Sequence, residues 1–199
     1  MCNIICVTNR KLCKEDFLER IEKIAMAGPK AIVLREKDLS LDEYECLAKR
    51  VVDICDKYNI ECILHYYSEV AKRLNVKSIH LPMLLLKDMS KKDLDFFDNI
   101  GASCHSAEEA IEAERRGCTY IFAGHVFETD CKKDIPPRGE EFLKKVCSSV
   151  NIPVFGIGGI SADNYHKIIS AGAKGGCIMS GFMTCNNPSD IIKGVNYDF

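Results

Sequence analysis

The sequence predicts an α/β protein folded as a single (β/α)8 (TIM) barrel, and three observations carry that prediction. Short apolar runs alternate with amphipathic helical stretches from one end to the other, the pattern of a parallel α/β chain. Eight such strand-helix pairs follow one another, and right-handed crossovers repeated in this way close most naturally into a barrel. No Gly-x-Gly-x-x-Gly follows the first strand, and an open doubly wound sheet rarely needs eight units in 199 residues. No linker or low-complexity stretch interrupts the chain. One domain spanning residues 1–199 is therefore expected, and 47% hydrophobic residues suffice for a sizeable core.

Asn3 to Thr8 reads as the first strand. Glu15 to Ala27 follows as a helix with Phe17, Leu18, Ile21, Ile24 and Ala25 on one face, closed by Gly28-Pro29. Ala31 to Arg35 is a strand, Leu41 to Tyr58 a long helix and Glu61 to Tyr66 the third strand. A short helix over Ser68 to Leu74 leads to a strand at Ser78 to Leu81, a weaker helical piece near Lys91 to Phe97, and a fifth strand at Asn99 to Cys104. Ser106 with Glu109 three residues on predicts a capping box opening the next helix, which ends at Gly117. Tyr120 to Ala123 suits a strand covered on both faces. Helices at Glu140 to Val150, Ala162 to Ala171 and Pro188 to Lys193 alternate with strands at Pro153 to Ile157 and Gly175 to Met179.

A net charge of −2 argues against a nucleic-acid partner, which selects for a basic face. No apolar run reaches the roughly 18 residues of a membrane helix, and no signal-peptide pattern opens the chain. A cytoplasmic protein is expected, and a homo-oligomer is compatible with the sequence. The twelve cysteines are scattered from Cys2 to Cys185 without a Cys-x-x-Cys pair, as expected of free thiols. Cys6, Cys62 and Cys177 lie in strand-like runs, where cysteine acts as a small hydrophobe. Cys131 stands beside Lys132 and Lys133 but has no base paired with it locally.

Chemistry is expected at the carboxyl ends of the strands, where loops vary on a rigid scaffold. His125 falls there, after Gly124, and the loop beyond it offers Thr129, Lys132, Lys133 and Arg138 to an anionic group. Gly158 and Gly159 end the seventh strand, and Ser180 and Gly181 the eighth, positions that often cradle a phosphate; the alternative is a tight turn. Arg35 and Lys37 follow the second strand and suit an anionic ligand, the alternative being an ion pair with Glu36. His65, His80, His105 and His125 all fall near the ends of strands three to six. Such a ring can bind a metal, but apart from Glu69 no carboxylate falls beside them in a ligand pattern. His105, before a helix, reads as structural. His125 alone sits with the anion-binding side chains, where a neutral imidazole suits proton abstraction and return near pH 7.

Several motifs carry a resemblance. Val7-Thr8-Asn9-Arg10, Val33-Leu34-Arg35-Glu36-Lys37, Ile79-His80-Leu81, Gly101-Ala102-Ser103-Cys104-His105-Ser106, Gly158-Gly159-Ile160 and Ser180 are similar to the thiamine phosphate synthase superfamily over nearly the whole chain. The run Gly124-His125-Val126-Phe127-Glu128-Thr129-Asp130-Cys131-Lys132-Lys133 closely resembles its TenI branch, the thiazole tautomerases. In the synthases of this superfamily, acidic residues after strands three and four hold magnesium. The matching positions here, Tyr66 and about Leu85, cannot ligate a hard cation. His125 also stands where synthases typically have proline.

The resemblance thus implies a metal-free isomerase of thiamine biosynthesis. Its substrate would be a carboxythiazole phosphate, converted from an exocyclic-alkene tautomer to the aromatic one with His125 as the base. Gly159 and Ser180 would hold the phosphate and Arg35 would face the carboxylate. Ser103, Thr129 and Lys132 match pyrophosphate-binding positions of the synthases. Two other readings stand beside it: a thiamine phosphate synthase whose magnesium is held by Glu69 and Asp88, and a non-catalytic binder of a phosphate ligand.

Overall fold

Eight parallel strands close into a barrel in sequence order in the computed structural model, which describes residues 3–129 and 135–196. They are β1 Ile4–Val7, β2 Ala31–Leu34, β3 Glu61–His65, β4 Ser78–Pro82, β5 Asn99–Cys104, β6 Tyr120–Gly124, β7 Val154–Ile157 and β8 Gly175–Ile178. β8 pairs back onto β1, with Ile5 opposite Cys177, so no sheet edge is left open. All eight expected strands are present, with no end shifted by more than one residue.

The helices outside the barrel are α1 Phe17–Ala27, α2 Leu41–Lys57, α3 Ser68–Arg73, α4 Met83–Asp88, α5 Lys91–Leu94, α6 Ala107–Arg115, α7 Gly139–Ser149, α8 Ala162–Ser170, α9 Ser180–Thr184 and α10 Pro188–Asn196. α4, α9 and a 3₁₀ turn at Arg10–Leu12 were not expected. α4 and α9 are one to two turns long and carry no capping side chain, so local sequence gives them no start signal.

Caps elsewhere are explicit. Asp16 accepts from the Leu18 and Glu19 amides, and Ser40 and Glu43 form a reciprocal box. The box expected at Ser106 is only half present. Ser106 accepts from the Glu109 amide at 3.1 Å, but the Glu109 carboxylate takes the His105 amide, one residue before the cap, at 2.6 Å.

Strand alternation divides the core into two shells. Ile5, Val7, Ala31, Val33, Ile63, Tyr120, Phe122, Phe155 and Cys177 fill the barrel. Leu34, Leu64, Ile79 and Leu81 face outward and pack under the helices with Ile21, Ile24 and Tyr44. Each fully buried aliphatic side chain of this size stabilises the fold by about 1.5–3 kcal/mol. Tyr44 also ties α2 to the barrel: its hydroxyl donates to the Leu34 carbonyl of β2 at 2.7 Å and accepts from the His65 amide of β3 at 3.0 Å. Cys6 and Cys177 are buried in these shells and Cys62 packs against the outer one, consistent with small hydrophobes.

Candidate active site

A cavity of about 490 Å³ opens at the carboxyl ends of the strands. That volume lies in the range of small-molecule sites. On β2 the inward period of two runs Ala31, Val33, Arg35 and continues to Lys37, which brings both cations into the cavity wall. Glu36, one residue out of phase, turns the other way. It is 2% exposed, accepts from Thr8 Oγ1 at 2.7 Å and from the Arg10 amide at 2.9 Å, and pairs with the Arg10 guanidinium at 3.1 Å. Asp38 holds the same guanidinium by two bonds of 2.6 and 2.8 Å, which keeps its carboxyl well below the usual carboxylate range. Glu36 thus neutralises Arg10, and the ion pair considered between Glu36 and Arg35 or Lys37 does not form. Neither cation has an acidic partner among the described residues. Partial burial and the neighbouring Arg35 lower the Lys37 ammonium from its ordinary value.

His125 follows β6 and lines the cavity, although strict alternation from Phe122 and Gly124 would send it outward. The chain beyond β6 stays pinned to β7: Val126 donates to the Ile157 carbonyl at 2.9 Å and Phe127 to the Gly158 carbonyl at 3.0 Å. The imidazole is 4% exposed, and its Nε2 lies 3.1 Å from the Ile135 carbonyl oxygen. A carbonyl only accepts, so Nε2 carries a proton, and in the neutral ring Nδ1 then carries the lone pair. Nδ1 is buried and has no hydrogen-bond partner among the described residues.

Gly158 and Gly159 have φ of +96° and +67°. A Cβ at Gly158 would stand 2.3 Å from His125 Cβ, and one at Gly159 2.3 Å from the Glu128 carbonyl oxygen. The loop after β6 therefore demands both glycines whatever is bound, so the tight-turn reading and the phosphate reading describe the same backbone. With Ile160, Met179 and Ser180 they form one wall of the cavity at the ends of β7 and β8, three and two strands around the closed barrel from β2, after which Arg35 and Lys37 stand. Gly181 lies outside the lining.

Thr129 and Ser103 line the cavity as well. Arg138 does not, its guanidinium lying 5.3 Å from the centre of the Phe142 ring. Lys132, Lys133 and Cys131 lie outside the described residues.

His65 and His80 converge on the cavity floor, which the sequence did not reveal. Their rings stack 5.9 Å apart, and both are almost fully buried. Burial, His80 and the Lys37 and Arg35 cations push His65 down to about 2, and burial with Lys37 pushes His80 down to about 3. Both are neutral at physiological pH. His105 instead anchors its ring by Nδ1 to the Gly124 carbonyl at 2.7 Å, the structural role expected, while still touching the cavity rim. The signal that could have found His65 and His80 is again the period of two, from Ile63 to His65 and across the strand pair that sets His65 beside His80.

The donor set does not fit magnesium. Among the described residues the one carboxylate lining the cavity is Glu109, already committed to the His105 amide. Glu69 and Asp88, the proposed substitute ligands, line a separate outer groove with Tyr66, Tyr67, Leu85 and Asp93. No group of three or more His, Cys, Asp or Glu side chains among the described residues could hold a metal ion. No described helix is long and apolar enough to cross a membrane.

Cations with no acidic partner among the described residues, a glycine-lined wall and a buried imidazole whose Nδ1 has no described partner, all at the carboxyl rim of a (β/α)8 barrel, fit a small-molecule site for an anionic ligand. Comparison with known proteins narrows the class. The family described as thiamine monophosphate synthase matches residues 4–182, and the chain belongs to that family. A thiamine-phosphate synthase of Clostridium acetobutylicum is 37% identical over 191 residues, 92% of this chain and 88% of that one. One from Fusobacterium nucleatum is 31% identical over 204 residues, covering 100% and 97%. A solved thiamine phosphate pyrophosphorylase from Pyrococcus furiosus superposes with a TM-score of 0.83 at 28% identity, covering 98% of this chain and 94% of that one. These relatives carry synthase names, so the comparisons favour a transferase of thiamine biosynthesis over the isomerase expected from the TenI-like run.

Proposed function

We propose that the cavity binds a carboxylated thiazole phosphate and that His125 moves the proton that aromatises it, without a metal. The observation that carries this reading is the His125 ring: Nε2 is committed to the Ile135 carbonyl and Nδ1 is a buried lone pair with no described partner. With the ligand bound, Nδ1 takes the ring proton and returns one to the exocyclic carbon, a step that requires this buried nitrogen to become accessible to the ligand. The isomerisation is balanced without any co-reactant, and because the aromatic product is the thermodynamic sink, holding the substrate and relaying one proton suffices. The phosphate lies against Gly158, Gly159 and Ser180, and the carboxylate against Arg35 and Lys37, whose charges no described acid neutralises.

The second reading, a thiamine phosphate synthase, is favoured by the names of the relatives. Against it stands the donor set, since a pyrophosphate-activating divalent ion requires oxygen ligands that the described mouth does not assemble. One experiment separates the two. A proton NMR time course with the non-aromatic tautomer, run with and without chelator, should show isomerisation that chelator leaves unchanged. Thiamine phosphate formed from the thiazole phosphate and a pyrimidine pyrophosphate with magnesium, in the absence of isomerisation, establishes the transferase and overturns our reading.

A further inference from the structure

Three side chains from adjacent strands form a hydrogen-bonded chain that runs from the middle of the barrel to the cavity. His80 Nδ1 lies 3.3 Å from Tyr120 Oη, and His80 Nε2 lies 2.8 Å from Ser103 Oγ. Backbone register brings them together, with His80 opposite Gly101, Gly101 opposite Tyr120, and Pro82 opposite Ser103. Gly101 is what admits the phenol, since a Cβ there would lie 2.1 Å from Tyr120 Cζ and 2.4 Å from its Oη. The imidazole is clamped, stacked on Phe122 at 4.0 Å between ring centres and on His65 at 5.9 Å.

The chain can run in only two directions. If His80 carried its proton on Nδ1, Nε2 would accept from Ser103, the arrangement of an activated nucleophile. Tyr120 Oη would then accept from Nδ1, and its own hydrogen would have no partner among the described residues. Nδ1 of His80 is its one hydrogen-bond partner among the described residues. An orphaned buried donor costs about 1–3 kcal/mol. In the other direction Tyr120 donates to Nδ1, Nε2–H donates to Ser103 Oγ, and every group is satisfied except the serine hydrogen. Burial holds the Tyr120 phenol far above its usual value, so it remains a donor at any working pH. Ser103 lines the cavity, and its hydrogen is the one left to offer.

We infer that Tyr120 and His80 are positioning residues that turn Ser103 into a fixed hydrogen-bond donor toward an oxyanion of the bound ligand. With one lone pair of its oxygen engaged by His80, the hydroxyl hydrogen is directed away from the imidazole and suits a phosphate or carboxylate oxygen. This rests on the cavity binding an anionic phosphate ligand, as proposed above, whereas the direction of the chain is a property of the free protein.

Long-range proton-nitrogen correlation NMR of ligand-free, nitrogen-15-labelled protein reads the tautomer of each histidine. His80 should carry its proton on Nε2, and Tyr120→Phe should shift it toward Nδ1. A wild-type His80 protonated on Nδ1 overturns the proposal, even if no variant folds. Calorimetry with the thiazole phosphate should show affinity falling about 10–100-fold in Ser103→Ala. Tyr120→Phe should lose less, and the double variant no more than Ser103→Ala alone; additive losses would break the relay. Wild-type protein that fails to bind the thiazole phosphate overturns the functional reading and the role of Ser103 with it, while the NMR result still decides the relay.

Discussion

The two ends of the barrel handle polar groups in opposite ways. At the amino-terminal end, Ser78 Oγ donates to Glu61 Oε1 at 2.7 Å, and Asn99 Nδ2 donates to the same oxygen at 2.9 Å and to Ser78 Oγ at 3.2 Å. That network closes on itself beside a small cavity of about 220 Å³. At the carboxyl end, Nδ1 of His65 and of His125 are buried without a described partner, and Arg35 and Lys37 face the larger cavity without an acidic partner among the described residues. Buried polar groups left open cost stability and persist where something else completes them. One end satisfies its polar groups within the barrel; the other leaves several without a described partner.

Substitutions should break this contrast in graded fashion. The largest effect is expected for His125→Gln, which should lower the isomerisation rate by about 10²–10⁴-fold while ligand affinity measured by calorimetry changes little. An unchanged rate removes His125 from the mechanism. Arg35→Met should weaken binding of the carboxylated thiazole phosphate about 10–100-fold, yet barely alter binding of the same phosphate without its carboxylate. Equal losses for both ligands would assign Arg35 to the phosphate instead. Gly158→Ala forces a left-handed backbone on alanine and drives its Cβ into His125, which lies 2.3 Å away. It should lower stability by about 1–3 kcal/mol, read by denaturant titration, and lower the rate together with it.

The buried floor makes a prediction about acid. The folded protein holds His65 at about 2 and His80 at about 3, below the value of roughly 6.5 for an unfolded histidine. The unfolded chain therefore binds protons first as pH falls, and stability present above pH 6.5 is lost toward the folded values. Below about 6.5 each histidine can contribute up to about 1.4 kcal/mol of loss per pH unit. Thermal melts between pH 7 and 5 should show this slope, and His65→Asn with His80→Gln should flatten it. The smallest effect belongs to the closed end, where Glu61→Gln should cost about 1 kcal/mol in a denaturant titration and leave the isomerisation rate at the wild-type value. A changed rate would mean that the two ends are coupled.

Much of the scaffold was legible because its signals are local. Alternating apolar runs gave all eight strands, and Asn99 to Cys104 appears with the same bounds. The inward period on β2 delivered Arg35 and Lys37 to the mouth as expected. Where the signal was weak or misleading, a competing contact explains it. The Met83–Asp88 helix has no capping side chain, and the Glu109 carboxylate was drawn to the His105 amide instead of completing its box. Glu69 and Asp88 were candidate cation ligands by proximity in sequence, yet the helices carrying them turn both into an outer groove.

Sequence alone determined the strand-helix alternation, the closed topology it implies and the chemical character of the rim, since periodicity and residue type act over a few neighbours. Tertiary structure alone decided that Glu36 would pair with Arg10 and leave Arg35 open, that His65 would meet His80, and that Tyr120 would reach Ser103 through an imidazole. Those meetings depend on how eight strands stagger as they close, a geometric condition on the whole barrel that no short stretch of residues contains.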